Sequence, residues 1–406
     1  MAGARPDAVG RLAMSSPMAS PISSIFLLAL IYFAFISLGL PDGVVGVAWP
    51  AMRVALGQPI EAAGLITLVV TGCSALSGFA SGFVLKRLSA GVVVMLSGWS
   101  TGLALLGIAF APSFAVLLLL AVPLGLGAGA VDAAMNHFVA RHYSSRHMNW
   151  LHGCWGVGAT VGPLIMGAAL ASAGGWRFGY QAIGALQMAL ALAFLLSLYL
   201  WQLAPTVDPT AHESAQGAAR KPLRRLALWL APALFLLYAA VEVGTSLWAA
   251  TVLIEQRHLP ASTAGLWVSG FFGAIMLGRF ATGLVSQRLG NRSLVRYGLL
   301  LAIAGAAIFS LNLTPAWTAL AGLALLGLGC APVYPSLMHE AARRFDAQTA
   351  ARVIGRQVGS AYIGCMALPA LLGLMGATWG LWLIMPAIAL FAVLLLCLSE
   401  VLNAIT

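Results

Sequence analysis

The sequence predicts an all-α integral membrane protein with twelve transmembrane helices in two pseudo-symmetric six-helix bundles. Three observations support this fold class: the composition, a series of long apolar stretches, and a repeat between the two halves. Of the 406 residues, 61% are apolar and 8% are charged, and the mean hydropathy is +0.95. These values exclude an ordinary soluble domain. Because a spanning helix needs about 20 apolar residues, they suffice for a dozen spans.

The apolar stretches define the organisation of the chain. Residues 1–21 have no apolar run, and we expect them to form a cytoplasmic tail. A long polar segment, residues 203–225, is predicted to be a cytoplasmic linker between six-helix bundles at 22–202 and 226–402. The predicted spans are 22–49, 62–84, 92–110, 114–138, 150–173, 178–201, 226–253, 263–285, 294–312, 316–338, 353–376 and 379–401.

The basic residues are distributed unevenly between the two sides of the predicted membrane protein. If the N-terminus is cytoplasmic, 17 of the 21 lysines and arginines fall on the inner side, and Arg53, Arg177 and Arg257 fall on the outer side. Cytoplasmic loops are enriched in basic residues. We therefore predict that both termini are cytoplasmic, in a bacterial inner (plasma) membrane. The net charge of +10 then needs no nucleic-acid partner.

Spans 2 and 8 reveal an internal repeat at an offset of 201 residues. The segments 59–88 and 260–289 align without a gap, and identical residues recur along their length, from Pro59 and Pro260 to Leu88 and Leu289. This duplication resembles the major facilitator superfamily, in which two six-helix halves are related by an axis along the membrane normal. The resemblance implies a transporter whose substrate binds between the halves, near the middle of the membrane.

Short motifs within this pattern resemble the fucose permease branch of sugar:proton symporters. The loop after span 2 has lysine where the superfamily usually has an acid, as that branch does, and Asp42 lies where fucose permease has a functional Asp. Gly-Leu-Pro-Asp-Gly in span 1 and Leu-His-Gly in span 5 indicate a sub-branch apart from fucose permease itself. The matching stretches are Lys86-Arg87-Leu88-Ser89, Asp132 to Asn136, Met148-Asn149 with His152, and Tyr334-Pro335-Ser336.

Three acidic residues, Asp132, Asp42 and Glu242, lie well inside predicted spans, away from the span ends. An ionised acid in the membrane interior is costly unless it is paired or faces water, so such residues are functional candidates. We expect all three to take part in proton coupling, with protons as the coupling ion and no cofactor. The family resemblance assigns the main proton-coupling role to Asp132.

Two of these acids have an alternative structural interpretation. Asp132 and Asn136 are four residues apart and share one helix face. They could bind a solute and a proton, or they could form hydrogen bonds between helices. Glu242 could likewise bind a proton or substrate, or it could pair with Arg279, the one basic residue that is assigned to neither side of the membrane. Arg279 itself is expected to have a structural role in a Gly-Arg packing motif.

Asp42 follows Pro41 and has glycines on both sides. Proline disrupts helix hydrogen bonding, so span 1 is predicted to break or kink here and to expose Asp42 to a cavity. The alternative is a helix-capping carboxylate near the outer interface that forms a surface ion pair with Arg53.

Candidate substrate-binding residues are aromatic or polar side chains within the spans. Sugar sites combine an aromatic face for the apolar side of the ring with polar groups for its hydroxyls. The alternatives are packing for the histidine and interfacial anchoring for the tryptophans, which are enriched at membrane surfaces. The candidates are Asn136, His152, Trp155, Tyr238, Trp248, Tyr334 and Gln357.

Basic residues in the inner loops are candidates for gating. They could hold the two halves together in an outward-facing state, or they could serve only to fix the topology. Glu340 is expected to belong to an inner gate or helix cap. The gating and structural candidates are Lys86, Arg87, Arg279, Arg288, Arg292 and Glu340.

The predicted function is proton-coupled secondary active transport of a sugar or a similar small polar solute by alternating access. The alternative is a proton-driven exporter of amphipathic compounds such as drugs or siderophores. An enzyme is not expected, because the sequence has no nucleophile and base at catalytic spacing. Neither paired cysteines nor acidic clusters predict a metal site. We expect a monomer in the lipid bilayer.

Overall fold

The computed structural model describes residues 21–143, 145–203, 224–311, 316–345 and 347–406. The predicted tail and most of the predicted linker lie outside these ranges, so the domain boundaries remain predictions. The α-helices are α1 (Pro21–Gly39), α2 (Val44–Ala55), α3 (Ala63–Val84), α4 (Ala90–Ala109), α5 (Phe114–His142), α6 (Ser145–Leu170), α7 (Gly175–Leu196), α8 (Arg224–Glu255), α9 (Ala261–Leu289), α10 (Asn291–Ser310), α11 (Trp317–Cys330), α12 (Val333–Arg344), α13 (Ala347–Trp379) and α14 (Ile384–Ile405).

Within the described ranges, twelve segments are long and apolar enough to cross a membrane, which confirms the predicted all-α fold. Two spans contain two helices each. The first combines α1 and α2, which meet at a turn over residues 40–43, and the tenth combines α11 and α12, which meet at Pro332. In the first span, Pro41 cannot donate a backbone hydrogen bond and Gly43 adopts the left-handed conformation. The predicted break in span 1 is confirmed.

The helices form two six-span bundles with short glycine-rich contacts. In the first bundle α1 packs against α6, α3 against α5, and α4 against both α5 and α7. In the second bundle α8 packs against α13 and α14, and α11 against α9 and α10. Gly98 of α4 lies against Ala191 of α7, and Gly305 of α10 lies against Gly322 of α11. Small residues let helix backbones approach closely, so they stabilise each bundle by dispersion contacts.

Several helix pairs join the bundles, chiefly α6 with α9, α3 with α13, and α2 with α8. Their contacts include one end of the molecule, here named the closed side, where α2 and α8 end. There Gly64 packs against Ala370, and Gly167 packs against Gly265. At the opposite end, here named the open side, Gly283, Gly355 and Gly359 face open space. A Cβ added at any of them would have no atom from elsewhere in the described chain within 4 Å.

The predicted span ends needed correction where helices continue past the apolar core. Span 1 continues through Arg53 to Ala55, whereas it was predicted to end at residue 49. The sixth span, formed by α7, ends at Leu196, and residues 198–203 form a 3₁₀ helix instead of more α-helix. The eleventh span is longer than predicted, because α13 extends to Trp379.

Candidate functional site

Four side chains, three from helices and one from a turn, form a continuous line across the interface between the bundles. The Trp155 indole N–H on α6 donates a hydrogen bond to Asp42 Oδ2, 2.7 Å away in the turn between α1 and α2. The Arg279 guanidinium on α9 lies 4.9 Å from the centre of the Trp155 ring. Arg279 Nη2 is 3.7 Å from Glu242 Oε1 on α8. Asp42 and Trp155 belong to the first bundle, and Arg279 and Glu242 belong to the second.

The contacts in this line differ in strength. The bond from Trp155 to Asp42 has the short distance of a hydrogen bond to a charged acceptor. The separation of Glu242 and Arg279 is too long for a hydrogen bond, although they attract each other as an ion pair. Arg279 Nε is buried without a hydrogen-bond partner among the described residues. The second-bundle end of the line is therefore loosely held and can rearrange.

The side chains of the Glu242–Arg279 ion pair are partly exposed, unlike those of an ion pair buried in a protein core. The Glu242 side chain retains 12% of its accessible surface and that of Arg279 retains 18%. Glu242 lies 13 residues before the end of α8, which is roughly 20 Å along the helix. Both side chains of the pair therefore retain contact with solvent within the spans.

Asp132 and Asn136 lie one turn apart on α5, as their spacing predicts. Asn136 Nδ2 donates to Asp132 Oδ1 at 2.9 Å and to the Asp132 carbonyl oxygen at 3.0 Å. Both contacts lie within a single helix, so they do not provide the interhelical hydrogen bonds of the structural alternative. Asp132 also interacts electrostatically with Asp42 of the first bundle and with Tyr334 of the second. The carboxylate thus faces the same interface as the line of four.

The interface carries an excess of negative charge when its acids are ionised. The line of four and α5 together contribute three carboxyl groups, Asp42, Asp132 and Glu242, and one guanidinium, Arg279. Asp42 interacts electrostatically with both other acids. Uncompensated charges are costly in a low-dielectric region, and like charges at short range raise that cost. The arrangement is therefore suited to holding a proton on one of the carboxyl groups.

Three other predicted binding residues lie around these groups. Tyr238 is buried on α8, and its hydroxyl donates to the Cys330 carbonyl oxygen at 3.1 Å. Tyr334 packs close by, with its ring centre 5.9 Å from that of Tyr238. His152 is exposed on α6, and its ring meets Phe35 edge-on at 5.5 Å. His152 also interacts electrostatically with Arg279, so the exposed imidazole is near the line of four.

Two further candidates are placed in packed regions. Trp248 is fully buried, and its indole N–H donates to the Pro369 carbonyl oxygen on α13 at 2.8 Å. This contact joins α8 to α13 within the second bundle. Gln357 is 2% exposed, and its Oε1 has no hydrogen-bond partner among the described residues. Neither side chain lies open to the interface in this conformation.

The predicted gating residues occupy the open side, but they do not form one group. Lys86, Arg87 and Arg288 are exposed, and the Arg87 guanidinium lies 4.2 Å from the centre of the Phe83 ring. Arg292 instead approaches Glu340, with 3.3 Å between Nε and Oε2. Arg292 and Glu340 therefore belong to a contact inside the second bundle.

An ion pair that the sequence did not identify joins the bundles on the closed side. Arg53 Nη2, at the end of α2, is 2.6 Å from Glu255 Oε1, at the end of α8. The proposed pairing of Arg53 with Asp42 is wrong, because Asp42 points inward to Trp155 and Arg53 reaches across to Glu255. The internal repeat could have indicated this pair, since Arg53 and Glu255 are 202 positions apart, one more than the 201-residue offset of the repeat.

Two more contacts across the interface were also missed. Ser269 on α9 donates a hydrogen bond of 2.5 Å from its hydroxyl to the Thr160 carbonyl oxygen on α6. Phe272 meets the Trp155 ring edge-on, with the ring centres 6.1 Å apart. Single hydroxyl and phenyl side chains carry no periodic pattern, so no pattern in the sequence distinguishes these two residues.

The sequence profile of the Major Facilitator Superfamily matches residues 25–260 and 230–402. The chain belongs to this superfamily. A relative within curated proteins, membrane protein MosC of Rhizobium meliloti, is 27% identical to this superfamily member over 297 residues. The match covers 71% of this chain and 69% of MosC.

Solved transporters share the fold of this superfamily member. A bacterial homologue of the human lysosomal transporter Spinster, in an inward-facing and unoccupied conformation, superposes with a TM-score of 0.76 at 16% identity, covering 95% of this chain and 98% of that chain. A mutant of the nucleoside transporter NupG gives a TM-score of 0.74 at 14% identity, covering 94% and 99%. Family and fold together identify a multi-pass membrane transporter and not an enzyme.

Proposed function

We propose that this protein is a proton-coupled secondary active transporter of a small polar solute, with a sugar as the leading substrate class. The observation that supports the coupling is the group of three carboxyl groups opposed by one guanidinium at the bundle interface. Asp42, Asp132 and Glu242 are proposed to share the bound proton.

The charge balance explains why a proton would bind and leave in each transport cycle. With all three acids ionised and Arg279 charged, the interface carries two uncompensated negative charges, which favours proton uptake. Arg279 is loosely paired with Glu242 at 3.7 Å and can approach a carboxylate more closely when a proton leaves. Proton binding and release would thus change the attraction between α8 and α9 beside the bundle interface.

The substrate class rests on the mixture of polar and aromatic groups at the same place. The Trp155 ring offers an apolar face, and Asn136 and His152 offer amide and imidazole groups. This combination is typical of sites that bind a sugar ring by stacking and by hydrogen bonds to hydroxyls. The short motifs that resemble the fucose permease branch support the same class.

The distribution of basic residues supports a cytoplasmic location for the open side. Lys86, Arg87 and Arg288 are exposed there, as the enrichment of basic residues in cytoplasmic loops predicts. The conformation is then inward-facing, both termini are cytoplasmic, and the membrane is a bacterial inner membrane. Substrate release to the cytoplasm would follow from this state.

Alternating access requires the closed side to separate while the open side closes. The contacts that would have to break include the Arg53–Glu255 ion pair and the packing of Gly167 against Gly265. In the opposite state the exposed arginines of the open side would approach the other bundle. This arrangement supports rocking of two rigid bundles around the line from Asp42 to Glu242.

The proposal is tested by recording external pH when sugars are added to right-side-out membrane vesicles. A panel with fucose, galactose and glucose is compared in the wild type, in Asp132→Asn, and in Glu400→Gln as a control acid that pairs with Arg296 inside the second bundle. We expect sugar-evoked alkalinisation in the wild type and Glu400→Gln, and none in Asp132→Asn. Silence across the panel from folded protein, together with proton-driven expulsion of an amphipathic dye, would favour the exporter alternative.

A further inference from the structure

A cavity lies on the open side, away from the bundle interface. It has a volume of 290 Å³ and is located where α10 begins and where α12 and α14 end. Its lining includes three arginines and one acid: Arg292, Arg343, Arg344 and Glu340. The transport mechanism proposed above uses none of the three arginines at this position.

The three guanidinium groups share a single side-chain carboxylate. Glu340 Oε2 is 3.3 Å from Arg292 Nε and 3.3 Å from Arg344 Nε, and Glu340 Oε1 is 3.2 Å from Arg343 Nη1. These distances exceed the usual length of a charge-assisted hydrogen bond. The three guanidinium groups therefore carry two positive charges more than the single negative charge of Glu340 balances.

Arg344 is held in the wall of this cavity in an incompletely satisfied state. Its side chain is 4% exposed, and its Nη2 donates to Asn403 Oδ1. Its Nη1 is buried and has no hydrogen-bond partner in the described part of the chain. An unpaired buried donor on a charged group is costly, so the site retains capacity to bind an acceptor.

The backbone adds a favourable field to the same cavity. α10 is 20 residues long and begins at Asn291, so the unpaired N–H groups of its first turn lie where Asn291 and Arg292 line the cavity. The N-terminus of a helix attracts anions. Asn291 Nδ2 is 3.3 Å from Glu340 Oε1 and is a further donor at this position.

We propose that this cavity binds a phosphate-bearing anion, either the headgroup of an anionic phospholipid or free inorganic phosphate. Planar guanidinium groups bind phosphate oxygens through paired hydrogen bonds, and three of them surround the cavity. The cavity lies at the ends of three membrane-spanning segments, where lipid headgroups are located. Arg292 and Arg343 are 48% and 68% exposed and remain accessible to such a ligand.

The test uses the purified full-length chain and variants that leave buried Arg344 unchanged. Arg292→Gln and Arg343→Gln are combined, and Arg296→Gln is the matched control. Arg296 lies one turn along the same helix but pairs with Glu400, with 2.5 Å between Nη2 and Oε2. Calorimetric titrations compare dioctanoyl phosphatidylglycerol, dioctanoyl phosphatidylcholine and inorganic phosphate. Thermal unfolding of each variant verifies that it is folded.

We expect phosphatidylglycerol to bind the wild type at least about tenfold more tightly than phosphatidylcholine, and the double variant to lose at least about tenfold in affinity. Arg296→Gln should stay within about twofold of the wild type, since its charge is already paired. If inorganic phosphate binds as tightly as phosphatidylglycerol, with the same loss in the double variant, the ligand is the free anion. Equal affinity of folded double variant and wild type for every anion would overturn the proposal.

Discussion

The ion pair between Arg53 and Glu255 predicts how readily the closed side opens. The perturbation is Glu255→Gln, which keeps the shape of the side chain and removes its charge. The pair joins α2 of one bundle to α8 of the other at 2.6 Å, so it stabilises the closed arrangement selectively. Once the bundles separate on this side, both groups are free to contact water.

The size of the effect follows from solvent exposure. The two side chains are 25% and 32% exposed, and solvent screens their attraction. A pair of this kind contributes about 0.5–1 kcal/mol. Since the contribution belongs to the closed state alone, its loss should change the closed-to-open ratio by about twofold to fivefold.

The closed-to-open ratio is measurable by pulsed electron–electron double resonance, which records the distance between spin labels on opposite bundles. Suitable positions are Phe110 and Leu311, which are exposed at closed-side helix ends, in a chain whose native cysteines are replaced. We expect Glu255→Gln to increase the population of long distances, and the charge reversal Arg53→Glu with Glu255→Arg to restore short ones. An unchanged distance distribution in Glu255→Gln would refute the reasoning, and so would the same change in the control Glu400→Gln, which removes an acid paired inside the second bundle.

Two other substitutions probe the interface. Trp155→Phe keeps a ring beside Arg279 but removes the N–H that donates to Asp42, so solute-evoked proton uptake should fall by about tenfold or more, as measured in vesicles; uptake equal to the wild type would contradict the proposed role of this bond. Gly167→Leu places a side chain where Gly265 packs and should keep the closed side apart. Labelling of a cysteine introduced on that side should then increase, and solute uptake should stop; normal transport would show that this contact is not needed for closure.

Much of the fold could be predicted because it depends on local patterns. Apolar stretches of membrane length predicted the twelve spans, and Pro41 followed by Gly43 predicted the break in the first span. The helical spacing of Asp132 and Asn136 placed them on one face, where they form a hydrogen bond. In each case the physical cause acts within a few residues of the chain.

The connections within the candidate site depended on packing between distant segments. Trp155 and Asp42 are 113 residues apart, and the sequence offered each as a candidate without joining them. Trp248 had the same residue type as Trp155 but is buried against α13, since helix rotation decides whether a tryptophan faces a cavity or a neighbouring helix. Arg53 and its partner Glu255 required the relative position of the two bundles.

The central claim is that the carboxyl groups between the bundles hold the coupling proton. Infrared difference spectroscopy measures this directly through the carbonyl stretch of protonated carboxyl groups as pH is raised. The account predicts that purified wild-type protein shows such a band near neutral pH, that it disappears at higher pH, and that it is lost or altered in Asp132→Asn, Asp42→Asn or Glu242→Gln. A band that is absent from the wild type, or identical in all three variants, would contradict the account.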